Sequence, residues 1–246
     1  MLTAEASDRL LDRVRKLLAK AEGEGVTPAE AEALTAKAAE LMAKYGIDRA
    51  LLAAQRPETD SPDNRLVDIY NPWGRVRAHL LCGLASALRC QPILVTAEDG
   101  TLRVHIFGYA SDLERTDVLY TSLLIQMWHG LVAAPVPARV ANVRAWRRSW
   151  LLGFAAAVTA RVRAAEERAE QTASVVTDGH ASAALVLADR SLVIRRNVAA
   201  AYPRTRTART TYTGSGYDDG YAQGKQADIG TRHVPGQRDR SLTAAH

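Results

Sequence analysis

Between Arg9 and Ile47 the chain reads RLLDRVRKLLAKAEGEGVTPAEAEALTAKAAELMAKYGI, and this stretch limits what it can fold into more than any other. Leu10, Leu11, Val14, Leu17, Leu18 and Ala21 recur at the spacing that lines one face of a helix, while charges occupy the opposite face. Ser7 or Asp8 offers a cap for its first turn, and Gly23 and Gly25 supply the positive φ that ends a helix at low steric cost. Thr27, Pro28 and Glu30 then stand at N-cap, N1 and N3 of a second helix. The hydroxyl accepts from an N–H with no helical partner, the proline gives up an N–H that had none, and the glutamate reaches back. Ala31, Leu34, Ala38, Leu41, Met42 and Tyr45 form the second apolar stripe, and Gly46 reads as its C′ residue. Two helices of this length cannot bury both stripes by pairing alone, so the hairpin needs a third surface, from Asp48 to Gln55 or from the rest of the chain.

The order RKLLAKAE, a short turn and AEAEALTAKAAELMAKYGID resembles the N-terminal module of the domain-of-unknown-function 2786 family of bacterial and phage proteins. The resemblance implies a helical fold and a setting in a bacterial chromosome, plasmid or phage, and it brings no activity with it. From about Trp73 onward the chain resembles the regions that follow this module in actinobacterial members.

The 246 residues suffice for a small domain and a medium one. No apolar run is long enough to span a membrane: Trp150 to Ala160 is followed at once by Arg161 and Arg163. The N-terminal MLTAEASDRL carries acids where a signal peptide needs positive charge, so the expected location is cytoplasmic, with no membrane partner. Cys82 and Cys90 lack the second pair of a metal cluster and read as buried thiols; no cofactor is expected. The formal charge of +5 is unevenly placed. Residues 1–60 and 61–138 are slightly acidic, whereas residues 139–209 hold thirteen arginines against five acids.

Gln55 to Arg65, with two prolines and no large apolar residue, reads as a linker between a hairpin module (1–54) and an α+β domain (66–201). In that domain Leu66 to Tyr70 suits a strand, NPWG at 71–74 a turn, and Val76, Leu80, Leu81, Leu84 and Leu88 a helix. Ile93 to Thr96 and Leu102 to Ile106, joined through Glu98, Asp99 and Gly100, read as a β-hairpin. Ser111 to Glu114 has the form of a capping box opening a helix that Pro135 and Pro137 end. Asn142 to Thr172 is a long helix finishing in a solvated RAAEERAEQTA, and Ser182 to Ala201 fits helix or two strands. The final part, 202–246, holds an exposed basic loop and Gly216, Gly220 and Gly224 at four-residue spacing, which on a helix lets another backbone approach. The expected fold class is α+β, mainly helical, with a small antiparallel sheet covered by helices.

Arg144, Arg147 and Arg148 lie within two turns beside Trp146 and Trp150, while Arg195, Arg196, Arg204, Arg206 and Arg209 follow with no acid from Leu192 to Thr213. Guanidinium groups suit phosphates, so these eight residues are the expected contacts of a noncatalytic nucleic-acid-associated or adaptor protein. Trp146, Trp150 and Phe154 at i, i+4, i+8 read as core. The alternatives are a hydrolase with a site assembled from His79, His105, Asp112 and Asp218, and a module whose N-terminal hairpin binds a protein partner. Phosphate-loop and nucleophile-elbow motifs are absent, and no two histidines share the spacing of ligands on one helix face, so no catalytic or metal residue is assigned.

Overall fold

A computed structural model describes residues 9, 10, 12–14, 16, 17, 20, 28–175, 182–205 and 214–227; within 28–39 the described side chains are Lys37 and Ala38. The early residues are helical, and Leu10, Val14 and Leu17 turn toward the core as their spacing requires. Helix α1 (Pro28–Gln55) opens on Pro28. A 3-10 turn (Pro57–Thr59), strand β1 (Pro62–Ile69), helix α2 (Gly74–Ala87), strands β2 (Gln91–Thr96) and β3 (Leu102–Tyr109), and helices α3 (Ala110–Ala133), α4 (Val143–Val175), α5 (Ala183–Ala201) and α6 (Tyr217–Gln226) follow. The chain is mainly helical, with one antiparallel sheet of order β1-β3-β2.

The third surface that the hairpin needs is the chain itself. Ala38, Met42 and Tyr45 of α1 are buried with Leu80 and Leu84 of α2, Leu119 and Leu123 of α3, and Trp146, Trp150 and Phe154 of α4. Gly46, however, does not end the helix: α1 runs nine residues past it. The glycine is there because a Cβ would collide with the Arg115 guanidinium, which lies against the helix backbone.

Gln55 to Arg65, expected as a linker, contains the 3-10 turn and the first residues of β1, and its Asp60 is buried. The strand starts at Pro62 rather than Leu66, since a proline at the first position of an edge strand costs no ladder hydrogen bond. The β2–β3 hairpin forms as its alternation predicts. On one sheet face Ile69, Val104 and Ile106 pack on Ala78, Leu81 and Ala85 of α2. On the other, Phe107 and Ile93 meet Ile194, Val198 and Tyr202 at the end of α5, and Leu66, paired across from His105, stays 51% exposed.

Ser111 does not close a capping box. Helix α3 starts at Ala110 without a side-chain cap, and the Ser111 hydroxyl instead donates to Asp60 Oδ2 at 2.7 Å. Residues 183–201 form one helix, resolving the choice that their sequence left open. The glycine spacing acts as helix packing. Gly216, Gly220 and Gly224 lie against the backbone of Trp146, Trp150 and Phe154, and the Tyr217 carbonyl in turn sits where a Cβ on Gly153 would be. Ser149 Oγ accepts from Gly216 N (2.9 Å), and Arg161 Nη1 donates to the Gly224 carbonyl (3.1 Å), tying both ends of α6 to α4.

Candidate functional site

The thirteen arginines of the basic block divide by environment. Arg144 and Arg147 are exposed in the first turns of α4, Arg148 is half-buried, and the Arg144 guanidinium lies 5.9 Å from the Trp73 ring centroid. No acid stands in that first turn, so the arginines add positive charge where the helix dipole is already positive. Arg195, Arg196 and Arg204 are exposed along and just beyond the end of α5; Arg206 and Arg209 fall outside the described residues. The two groups are separate. Arg190 of α5 joins the same ion network as Glu166 of α4, which lies about 33 Å along that helix from Arg144 at 1.5 Å per residue.

The end of α5 is held on the sheet by Ile194 and Val198 and by a polar contact from Tyr202. Tyr202 packs edge-on to Phe107, and its hydroxyl lies 2.7 Å from His105 Nδ1, whose Nε2 meets Asn64 Oδ1 at 2.9 Å. Desolvation lowers the His105 pKa below its ordinary 6.5, keeping the ring neutral in this network near neutral pH. Arg204, two residues on, is exposed, and the sheet face on which Tyr202 rests carries Leu66, His105 and the Arg103–Asp68 ion pair (2.7 Å).

Behind this face lies a buried ionic network that the sequence did not announce. Arg115, fully buried, donates through Nη1 to Asp112 Oδ1 (2.8 Å) and through Nη2 to Glu166. Burial alone would lower its pKa, but Glu166 and Asp112 outweigh that and raise it. Arg89 shares Glu166 from the other side. It stands just after α2 with φ 66°, and the Cys90 N–H returns to the Ala85 carbonyl at 2.9 Å, a Schellman closure that turns Arg89 inward. Arg190 Nη2 donates to Asp60 Oδ2 (2.7 Å) and lies 3.4 Å from Asp112 Oδ2, with its guanidinium 3.5 Å from the Tyr109 ring centroid. Glu166, expected on a solvated helix end, is therefore buried, because two guanidinium groups neutralise it. One signal was available: Arg115 stands four residues before Leu119 on the apolar stripe of α3, where a charge needs a partner.

The residues of the hydrolase alternative do not come together. Asp112 is taken by Arg115 and Arg190, His105 by Tyr202 and Asn64, and Asp218 is exposed on the first turn of α6. Among the described residues no three His, Cys, Asp or Glu side chains form a metal-binding group. Both cysteines are free thiols: burial pushes Cys82 up to about 11, and burial with the Asp112 charge pushes Cys90 up to about 12. At pH 8 the Cys82 thiolate is only about one part in a thousand, so neither thiol should react with dithionitrobenzoate until the protein is unfolded. Rapid labelling of the native protein would contradict this.

Residues 9–49 match the family described as Protein of unknown function (DUF2786). No curated protein and no solved structure matches the chain. The matched stretch includes Gly46, against which the Arg115 guanidinium of the ionic network lies. Among the described residues no helix is long and apolar enough to cross a membrane.

Proposed function

We propose that the chain is a noncatalytic nucleic-acid-associated protein of a bacterial chromosome, plasmid or phage, contacting phosphates through Arg195, Arg196 and Arg204. The observation that supports this reading is the anchoring of Tyr202 on His105, two residues before the exposed Arg204, on a sheet face whose Leu66 is 51% exposed. Exposed guanidinium groups on a rigid helix neutralise phosphates and release counterions, while a half-open sheet face accepts unstacked bases. The exposed Arg144 and Arg147 at the start of α4 add a second phosphate contact, favoured by the helix dipole there.

Binding to single-stranded DNA should fall steeply with salt, and Arg195→Glu, Arg196→Glu and Arg204→Glu together should flatten the log–log slope by roughly two units, about 0.7 for each phosphate no longer neutralised. Fluorescence anisotropy across about 50–200 mM salt measures the slope. An unchanged slope in the triple variant would remove the assignment.

A further inference from the structure

Helix α3 is apolar on two sides. Leu119, Leu123, Met127 and Leu131 are buried in the core. By helical spacing a second stripe, Glu114, Val118, Thr121, Ile125, Trp128 and Val132, runs along the opposite side. Its alternating steps of four and three residues give the repeat of about 3.5 that marks the seam of paired helices. The seam is open: Val118 and Trp128 are half-buried, Thr121 is exposed, Ile125 is 36% exposed and Val132 84%.

A helix face turned to solvent ordinarily carries charge, and this one does not. From Val118 to Ala138, twenty-one consecutive residues, there is no Asp, Glu, Lys or Arg. The stripe therefore offers no cation to a phosphate backbone, and it lacks the basic flank with which an amphipathic helix settles on an anionic lipid surface. Another uncharged helix face is what it fits. The exposed Leu185 and Leu192 of α5 stand on either side of Asp189 and just before Arg195 and Arg196, so they do not match it. The α3 stripe of a second copy does, in the self-complementary manner of a two-fold interface.

The charges at its ends set the direction. Glu114 opens the stripe, and the first formal charge past its end is the exposed Arg139. Parallel pairing would lay Glu114 against its own copy, whereas antiparallel pairing brings unlike ends together. A two-fold midway between Thr121 and Ile125 sets Thr121 opposite Ile125, Val118 opposite Trp128 and Glu114 opposite Val132. The stripe is roughly 27 Å long at 1.5 Å per residue, and one helix pair of that length lies at the small end of specific interfaces, so association in the micromolar range is expected.

We propose that α3 pairs antiparallel with α3 of a second copy, making the chain a homodimer through its uncharged outer stripe. The dimer does not depend on the phosphate contacts proposed above.

Sedimentation velocity of the full chain from about 1 to 200 µM tests this. The mass should rise from the 26.7 kDa of one chain to twice that value. Val132→Glu changes an exposed side chain and leaves the core of the chain intact, as checked by circular dichroism, and it sets an acid against Glu114 of the second copy. It should raise the dissociation constant about tenfold or more. Val132→Lys should weaken the dimer less, because there the lysine meets that same glutamate. Ile125→Glu, nearer the two-fold, should also dissociate it. A chain that stays monomeric at the highest concentration overturns the proposal and leaves the stripe to a different protein. A dimer that withstands both Val132→Glu and Ile125→Glu overturns it as well, since the contact then lies elsewhere. Weakening by lysine as great as by glutamate at position 132 overturns the antiparallel pairing.

Discussion

Replacing Arg115 with methionine is expected to lower the unfolding free energy by about 3–5 kcal/mol, the usual cost of breaking a buried ion pair from one side. The side chain is fully buried and is the link between Asp112 of α3 and Glu166 of α4. Methionine fills much of the same volume, so the loss comes from stranded charge rather than from a cavity. Glu166 retains Arg89, and Asp112 retains Arg190 only at 3.4 Å, so two carboxylates would share less positive charge in a dry interior. Adding Glu166→Leu should recover part of the loss, giving a coupling of about 0.5–3 kcal/mol in a double-mutant cycle. Urea unfolding with an unchanged m-value measures both steps. A loss below about 0.5 kcal/mol, the range of an ordinary surface substitution, would mean that the network does not hold these helices together.

That network also explains where local rules misread the chain. A glycine after an apolar stripe reads as a helix stop, and at Gly46 it is a seat for Arg115 instead; alanine's helix advantage of about 1 kcal/mol is forgone to make room. Ser111 and Glu114 have capping-box spacing, yet the hydroxyl goes to Asp60, 51 residues back, because burying that carboxylate demands donors. RAAEERAEQTA has the composition of a solvated helix end, and nothing local shows that Glu166 faces Arg115, also 51 residues away. By contrast the β2–β3 hairpin, the Trp146–Trp150–Phe154 core stripe and the inward turn of Leu10, Val14 and Leu17 follow from periodicity alone, since each needs only an apolar face. The candidate phosphate contacts were legible as an acid-free run of arginines, but their placement was not. The packing of Ile194 and Val198 on Phe107 and the Tyr202–His105 contact, 97 residues apart in sequence, dock the end of α5 on the sheet two residues before Arg204. The place of Arg190 was illegible for the same reason: it reads as one more arginine of a basic block until Asp60 and Tyr109 surround it.

Gly220→Ala tests the opposite case, a glycine whose spacing was legible from the start. On helix propensity alone alanine should stabilise α6 by about 1 kcal/mol. Its Cβ, however, would land on the Trp150 backbone carbonyl, and main chain inside α4 cannot swing aside as a side-chain end does. Helix α6 must therefore shift away from α4, giving up the Gly216 N–H to Ser149 and the Gly224 carbonyl to Arg161, and the expected net loss is about 1–3 kcal/mol. Gly224→Ala should cost less, because its built Cβ stands 2.7 Å from the nearest atoms, one of them the Ala157 methyl. Amide hydrogen exchange across residues 217–226 separates local undocking from global destabilisation: Gly220→Ala should accelerate exchange there more than in the β2–β3 hairpin. If Gly220→Ala stabilised the protein by the propensity increment, α6 would not be held by backbone contact, and the four-residue glycine spacing would need another explanation. Undocking together with faster exchange would show that α6 closes over Trp146 and Trp150 through backbone contact, in keeping with the place of both rings in the core.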